Sequence, residues 1–199
     1  MEEGQEQALA PGQGDALLIV DVQNDFLPGG SLAVSHGDAV IAPLNRYIDL
    51  FHGRHLPVAA TRDWHPQRHC SFQSQGGPWP AHCVQGTEGA RINAALRLPG
   101  DVILVSKGTR EDRDAYSGFQ DTELENRLRE RGVKRLFIGG LATDYCVLNT
   151  VLDALGLGFS VCLLKDAIQA VNVHPGDGDK ALARMAEAGA LGITFESLA

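Results

Sequence analysis

Residues 135–156 read RLFIGGLATDYCVLNTVLDALG, and this stretch decides the fold. Arg135–Ile138 is a short apolar run of the kind that forms a buried strand, and Gly139 and Gly140 end it. From residue 144 to 156, Val147, Leu148, Val151, Leu152 and Leu155 fall on one face at the helical period, with Thr143 as N-cap. The same alternation recurs along the chain. Ala16–Val20, Pro57–Thr61, Val102–Val105, Phe159–Leu164 and Gly192–Phe195 also read as strands. Helical periodicity fills residues 38–51 (Val40, Ile41, Leu44, Tyr47, Ile48, Phe51), 121–131 and, more weakly, 178–188. Thr122 and Glu125 have the spacing of a capping box, with Gly132 as a stop. Strands alternating with helices predict an α/β fold: three α/β/α layers around a central, mainly parallel six-stranded sheet. Such sheets bind ligands beyond the carboxyl ends of their strands, so functional residues are sought there.

The 199 residues suit one domain, placed at 15–199 after a disordered tail at 1–14, MEEGQEQALAPGQG. That tail holds three Glu and no basic residue, unlike a secretory signal. The net charge of -8 argues against nucleic acid and against an anionic membrane surface as partners. The longest apolar stretch, around 151–164, is interrupted by Asp153 and glycines and is no membrane span. Cys70, Cys83, Cys146 and Cys162 form no CxxC pair and no disulfide framework, which points to a reducing, cytoplasmic compartment.

Three strand ends carry reactive groups. Asp21 closes the run LLIV, a costly place for a carboxylate without a partner. Lys107 follows the strand ending near Val105. Cys146 sits in the first turn of a helix, where free N–H groups and the helix dipole favour a thiolate and can hold an oxyanion. Each alone has an ordinary reading: a turn cap, a solvated amine, a core thiol. Together they give a proton acceptor, a cation and a nucleophile at one edge of one sheet. A second cluster follows the second strand. In TRDWHP, Asp63 and His65 are two apart and share a face of extended chain. With His82 from WPAHCVQGT they make a carboxylate and two imidazoles able to hold a divalent metal with positions left open. His69 is read as a loop hydrogen-bonding residue and left out of the metal set.

The motifs DVQNDFLPGGSLAV, TRDWHP, WPAHCVQGT, SKG, YSGF and GLATDYCV resemble, in order, those of nicotinamidases (pyrazinamidases) within the isochorismatase-like cysteine hydrolases. The resemblance runs from about Ala16 to the C-terminus. It implies hydrolysis of nicotinamide by a triad of Asp21, Lys107 and Cys146. It implies one divalent metal ion (zinc, iron or manganese) on Asp63, His65 and His82. Phe26 and Trp79 would wall the pyridine ring, with Tyr116 beside them; Phe26 and Trp79 also read as plain core. It further implies an oxyanion hole from the N–H groups of Ala142 and Cys146, and a cis peptide before Ala142. The charged stretch GTREDRDA between Lys107 and Tyr116 varies among relatives. A homo-oligomer is left open. Rival readings are a related hydrolase of ureido or carbamoyl substrates, an isochorismatase, a non-haem iron oxygenase and a redox sensor built on Cys146. The oxygenase leaves Asp21, Lys107 and Cys146 without a role, and isochorismatase chemistry leaves Cys146 without one.

Overall fold

The strand ending in the glycine pair takes its place beside the first strand of the chain, and this pairing sets the architecture. In the computed structural model, which describes residues 9–198, six strands form one sheet. They are β1 (Asp15–Val20), β2 (Val58–Asp63), β3 (Ile103–Lys107), β4 (Arg135–Leu141), β5 (Ser160–Gln169) and β6 (Leu191–Ile193). The order is β3-β2-β1-β4-β5-β6, with every neighbouring pair parallel. The helices are α1 (Ile41–Gly53), α2 (Leu124–Glu130), α3 (Leu148–Gly156) and α4 (Asp177–Glu187).

Alternation along β1 divides the core in two. Leu17 and Ile19 face α1, packing with Leu44, Tyr47, Ile48 and Phe51. Ala16, Leu18 and Val20 face the other layer, with Leu128 of α2, Val151 of α3 and Met185 of α4. All six residues of β1 are buried, as expected of a strand covered on both faces. Successive strands are added to one side of β1 and then, from β4 on, to the other, so β1 and β4 flank the switch point at which such folds open a crevice. Gly140 lies there at φ +123°, and a Cβ on it would come 2.1 Å from Val20 O. Only glycine lets the two strand ends approach this closely.

Several boundaries differ from the sequence reading. β2 and β3 run on to Asp63 and Lys107, because polar residues at their ends are satisfied inside the molecule rather than by solvent. β5 continues past Leu164 to Gln169, after an irregularity in its pairing with β4 that accommodates Lys165 and Asp166. Asp166 accepts from Tyr47 Oη (2.8 Å) and Phe195 N (3.1 Å). Phe195 therefore opens a 3-10 turn and does not extend β6. The capping box does not form: Thr122 Oγ1 donates to Gly118 O, and Glu125 pairs with Arg129. Gly132, at φ +70°, does end α2. Of the expected N-terminal tail, residues 1–8 lie outside the described residues. Residues 9–14 are tied to the domain, with Leu9 on the core and Pro11 O accepting from Arg54 (2.6 Å).

Candidate active site

The carboxyl ends of β1, β2, β3 and β4 bring Asp21, Asp63, Lys107 and Cys146 together. Asp63 and Lys107 are register partners on adjacent strands. Lys107, 1% exposed, is enclosed by four partners. Its Nζ lies 2.9 Å from Asp21 Oδ2, 2.5 Å from Asp63 Oδ1, 3.2 Å from Ala115 O and 3.3 Å from Cys146 Sγ. Burial works against the ammonium, but the Asp21 and Asp63 carboxylates outweigh it and hold Lys107 well above its ordinary pKa. The site thus places a cation beside the thiol.

Asp21 takes the left-handed conformation (φ 49°) directly after β1, which turns its side chain into the cluster. Thr61 Oγ1 donates to Oδ1 at 2.6 Å. Oδ2 accepts no hydrogen bond, its contact with Nζ being out of hydrogen-bond direction. A buried carboxylate oxygen without a donor is expensive, and here it is aimed at the group that can supply a proton. One oxygen each of Asp21 and Asp63 lies with Cys146 Sγ inside a 4.8 Å cluster. Burial holds the Asp21 pKa above the usual carboxylate value, against the pull of Lys107.

Cys146 sits on a π-helical turn, Thr143–Val147, that leads into α3. Thr143 is the first residue of that turn and not a side-chain cap, which corrects the N-cap expectation; Ala142 takes the cap position. The peptide before Ala142 is cis, as the resemblance implied. The expected thiolate is also corrected. Burial pushes the Cys146 thiol well above its ordinary pKa, with Lys107 opposing the rise and the Asp21 and Asp63 carboxylates adding to it. A thiol and a carboxylate whose pKa values are both raised stand side by side, so a proton can pass between them.

The second cluster forms as the spacing predicts. Ligand atoms of Asp63, His65 and His82 lie within 4.8 Å of one another, all three residues buried. The two oxygens of Asp63 divide their work: Oδ1 meets Lys107, and Oδ2 lies 3.5 Å from His65 Nε2. His65 Nδ1 lies 2.9 Å from Gly108 O, and His82 Nδ1 lies 2.8 Å from Pro80 O. A carbonyl only accepts, so both Nδ1 atoms carry hydrogen and both Nε2 atoms are left to face the cluster, where Asp63 overcomes the effect of burial and raises the His65 pKa. This tautomer, fixed by backbone carbonyls, is that of a metal-ligating imidazole. The donor set fits one divalent ion. Burial also lowers the His82 pKa, which keeps that ring neutral and ligand-competent. His69 stands apart: it bonds Ser71 Oγ and Arg113 O while stacking on His65 at 4.1 Å.

A glycine governs His65. Gly108 lies at φ +61°, and a Cβ there would come 2.5 Å from His65 Cε1. Gly108→Ala should displace the ring and weaken zinc binding by about 10–100-fold, the usual cost of disturbing a ligand's support. Competition with a chromophoric chelator measures this. Unchanged affinity would show that the ring yields without losing its aim.

The sequence from residue 15 to 197 matches the Isochorismatase domain family. The chain belongs to the isochorismatase family. Within that family it is 42% identical over 196 residues to the nicotinamidase of Escherichia coli, covering 88% of this chain and 92% of the relative. It superposes on the pyrazinamidase of Pyrococcus horikoshii in complex with zinc with a TM-score of 0.88, at 48% identity, covering 92% of this chain and 99% of the other. A protein of L. infantum in complex with nicotinate gives a TM-score of 0.86 at 37% identity, covering 96% of this chain and 97% of the other.

In this isochorismatase-family site, one cavity joins both clusters. Phe26, Trp79, Tyr116, Ala142 and Cys146 line it, as do Asp63, His65 and His82. Phe26 leans on His82 (ring centroids 5.7 Å), and Trp79 Nε1 donates to Tyr116 Oη at 3.0 Å. Tyr116 thus stands in the wall despite the charged stretch before it. The sequence reading missed Leu32, Val34, Tyr145 and Val171, which complete the apolar lining. Tyr145 was open to inference, as the neighbour of Cys146; it meets Trp79 edge-on at 5.2 Å. Val171 was not, because it follows the part of β5 that the reading omitted.

Proposed function

We propose that this protein hydrolyses nicotinamide, and pyrazinamide, to the carboxylic acid and ammonia through a thioester on Cys146, a step of NAD salvage. The observation that carries this reading is the buried Lys107 ammonium shared by Asp21, Asp63 and Cys146, which joins a nucleophile to a metal-competent cluster across one small apolar cavity. The similarity to nicotinamidases and to a zinc-bound pyrazinamidase supports it.

Asp21 Oδ2 takes the thiol proton, while Lys107 stays charged beside the sulfur. The thiolate attacks the carboxamide carbon, and the N–H groups of Ala142 and Cys146 receive the oxyanion. Asp21 returns the proton to the amide nitrogen as the C–N bond breaks, and ammonia leaves. Water then attacks the thioester, giving one proton to Asp21. The C–S bond breaks, the acid departs, and the proton on Asp21 restores the thiol. Phe26 and Trp79 hold the ring and so orient the carboxamide toward the sulfur. A divalent ion on Asp63, His65 and His82 (zinc, iron or manganese) supplies a Lewis acid for a ring-nitrogen lone pair. Among the described residues no helix is long and apolar enough to cross a membrane. We place the enzyme in the cytoplasm, where Cys70, Cys83, Cys146 and Cys162 stay free thiols.

Ammonia release from nicotinamide, pyrazinamide and benzamide tests the reading. The two aza-arenes should turn over, and benzamide should fall by at least ~100-fold in kcat/KM, since a site built around one polar contact rejects the analogue lacking it. Equal rates on benzamide would remove the ring-nitrogen contact. Turnover of ureido substrates without nicotinamide would favour the rival hydrolase.

A further inference from the structure

Asp144 lies two residues before Cys146 on the same turn, and its carboxylate is committed elsewhere. Oδ1 accepts from Val171 N at 2.9 Å and Oδ2 from Asn172 N at 2.8 Å. These are successive amides of the segment leaving β5, and Val171 is a wall of the cavity. Asn172 sits at φ 53° and accepts from Gly178 N (2.8 Å) in the first turn of α4. One carboxylate therefore ties the turn of the nucleophile to a wall of the cavity, and Asn172 ties that wall to a helix. Val171 packs against the α1-side core, while neighbouring Val173 is half exposed.

We propose that Asp144 is a positioning residue that sets the size selection of the cavity: it fixes Val171 at a defined distance from Cys146, so that small unsubstituted aromatic amides fit and ring-substituted ones do not. Which amides those are rests on the hydrolase reading above; the clamp itself does not. A carboxylate is the right group, because both oxygens accept and both facing groups donate. In Asp144→Asn, an amide of nearly the same shape, an NH₂ must face a backbone N–H.

Two measurements separate the clamp from the chemistry. Hydrogen exchange at residues 171–172 should quicken by about tenfold in Asp144→Asn, the loss of one hydrogen bond, with β1 and β4 unchanged. Unchanged exchange there overturns the clamp, whatever the substrate proves to be. Turnover of nicotinamide and of a set of ring-methylated nicotinamides should show KM for nicotinamide rising about tenfold, with kcat within a few-fold. Selectivity against the methylated amides should shrink by a similar factor. Val171→Ala, which leaves Asp144 intact, should relax selectivity in the same direction and covers the case in which Asp144→Asn folds poorly. Selectivity unchanged in Val171→Ala, or a fall in kcat alone in Asp144→Asn, overturns the size-selection role. If the wild-type protein releases no ammonia from any of these amides, the hydrolase reading and the selectivity role built on it fall together, while the exchange result still decides the clamp.

Discussion

Cys146→Ala should release no measurable ammonia from nicotinamide, a loss of at least ~10⁴-fold in kcat, because no other group can form the acyl intermediate. Asp21, Lys107 and the metal-competent trio remain in that variant, so the comparison isolates the sulfur. The thiol is 7% exposed, and its removal leaves a small gap costing about 1 kcal/mol, so the fold should survive. Cys162→Ala is the control. Cys162 lies in β5 at 2% exposure, packs in the α1-side core and is not part of the cavity lining. Its loss should cost about 1–2 kcal/mol of stability and leave kcat unchanged. An ammonia assay with thermal melts on both variants checks this. Substantial turnover by Cys146→Ala would mean that water attacks the amide directly, and the thioester would have to be abandoned.

The sheet was legible because its strands are apolar on both faces. β1 and β4 stand out as LLIV and RLFI, and the strong periodicity of α1 and α3 leaves little choice of partner layer. What was not legible were the strand ends. Arg62, Asp63, Ser106 and Lys107 read as the start of loops, since polarity normally means solvent. Here the charges pair with one another across β2 and β3, and Arg62 donates to Ser106 Oγ (2.9 Å) while stacking on Trp64. The same blindness truncated β5 at Lys165 and Asp166. At β2 and β3 the charge is satisfied internally and the error falls on the site, while in β5 Asp166 is held by Tyr47 and Phe195 and Lys165 is exposed.

Within the site, the residue types announced the chemistry and the spacing announced the metal cluster. Their support was silent in the sequence. Gln23 is fully buried and grips Asp63 by both backbone groups, accepting from its N–H and donating to its C=O, each at 2.7 Å. Thr61 fixes Asp21, and Asp25 Oδ2 accepts from Cys83 N beside His82. A glutamine or a threonine carries no signal of such a task until the fold shows what it faces. The protonation of the thiol was likewise hidden. Helix position and Lys107 favour a thiolate, while burial and two neighbouring carboxylates push the thiol pKa up.

Lys107→Met tests that electrostatic balance and should have the second largest effect. Methionine keeps the length and most of the packing but leaves Asp21 and Asp63 buried without their cation. Removing one member of a buried charged cluster costs about 3–5 kcal/mol. Activity should fall by about 10³-fold, as for the loss of a preorganised group beside developing charge. The stability loss should depend on pH in a defined direction. Burial already raises the Asp21 pKa against the pull of Lys107, so its value should climb further in the variant. An acid whose folded pKa lies above its unfolded value contributes stability fully present below the unfolded value, ~3.9, and lost as pH rises through the folded one. The wild-type and variant melting temperatures should therefore approach one another near pH 4 and separate most at neutral pH. Metal-free protein is the right sample, because acid also releases metal from histidines. A difference constant from pH 4 to 8 would mean that Asp21 does not feel the ammonium. Lys107→Arg then separates charge from shape: it keeps the cation but forces a planar fork into a space closed around a single nitrogen. Recovery of the pH profile without recovery of turnover would show that the charge holds the carboxylates, while the position of one nitrogen serves the sulfur.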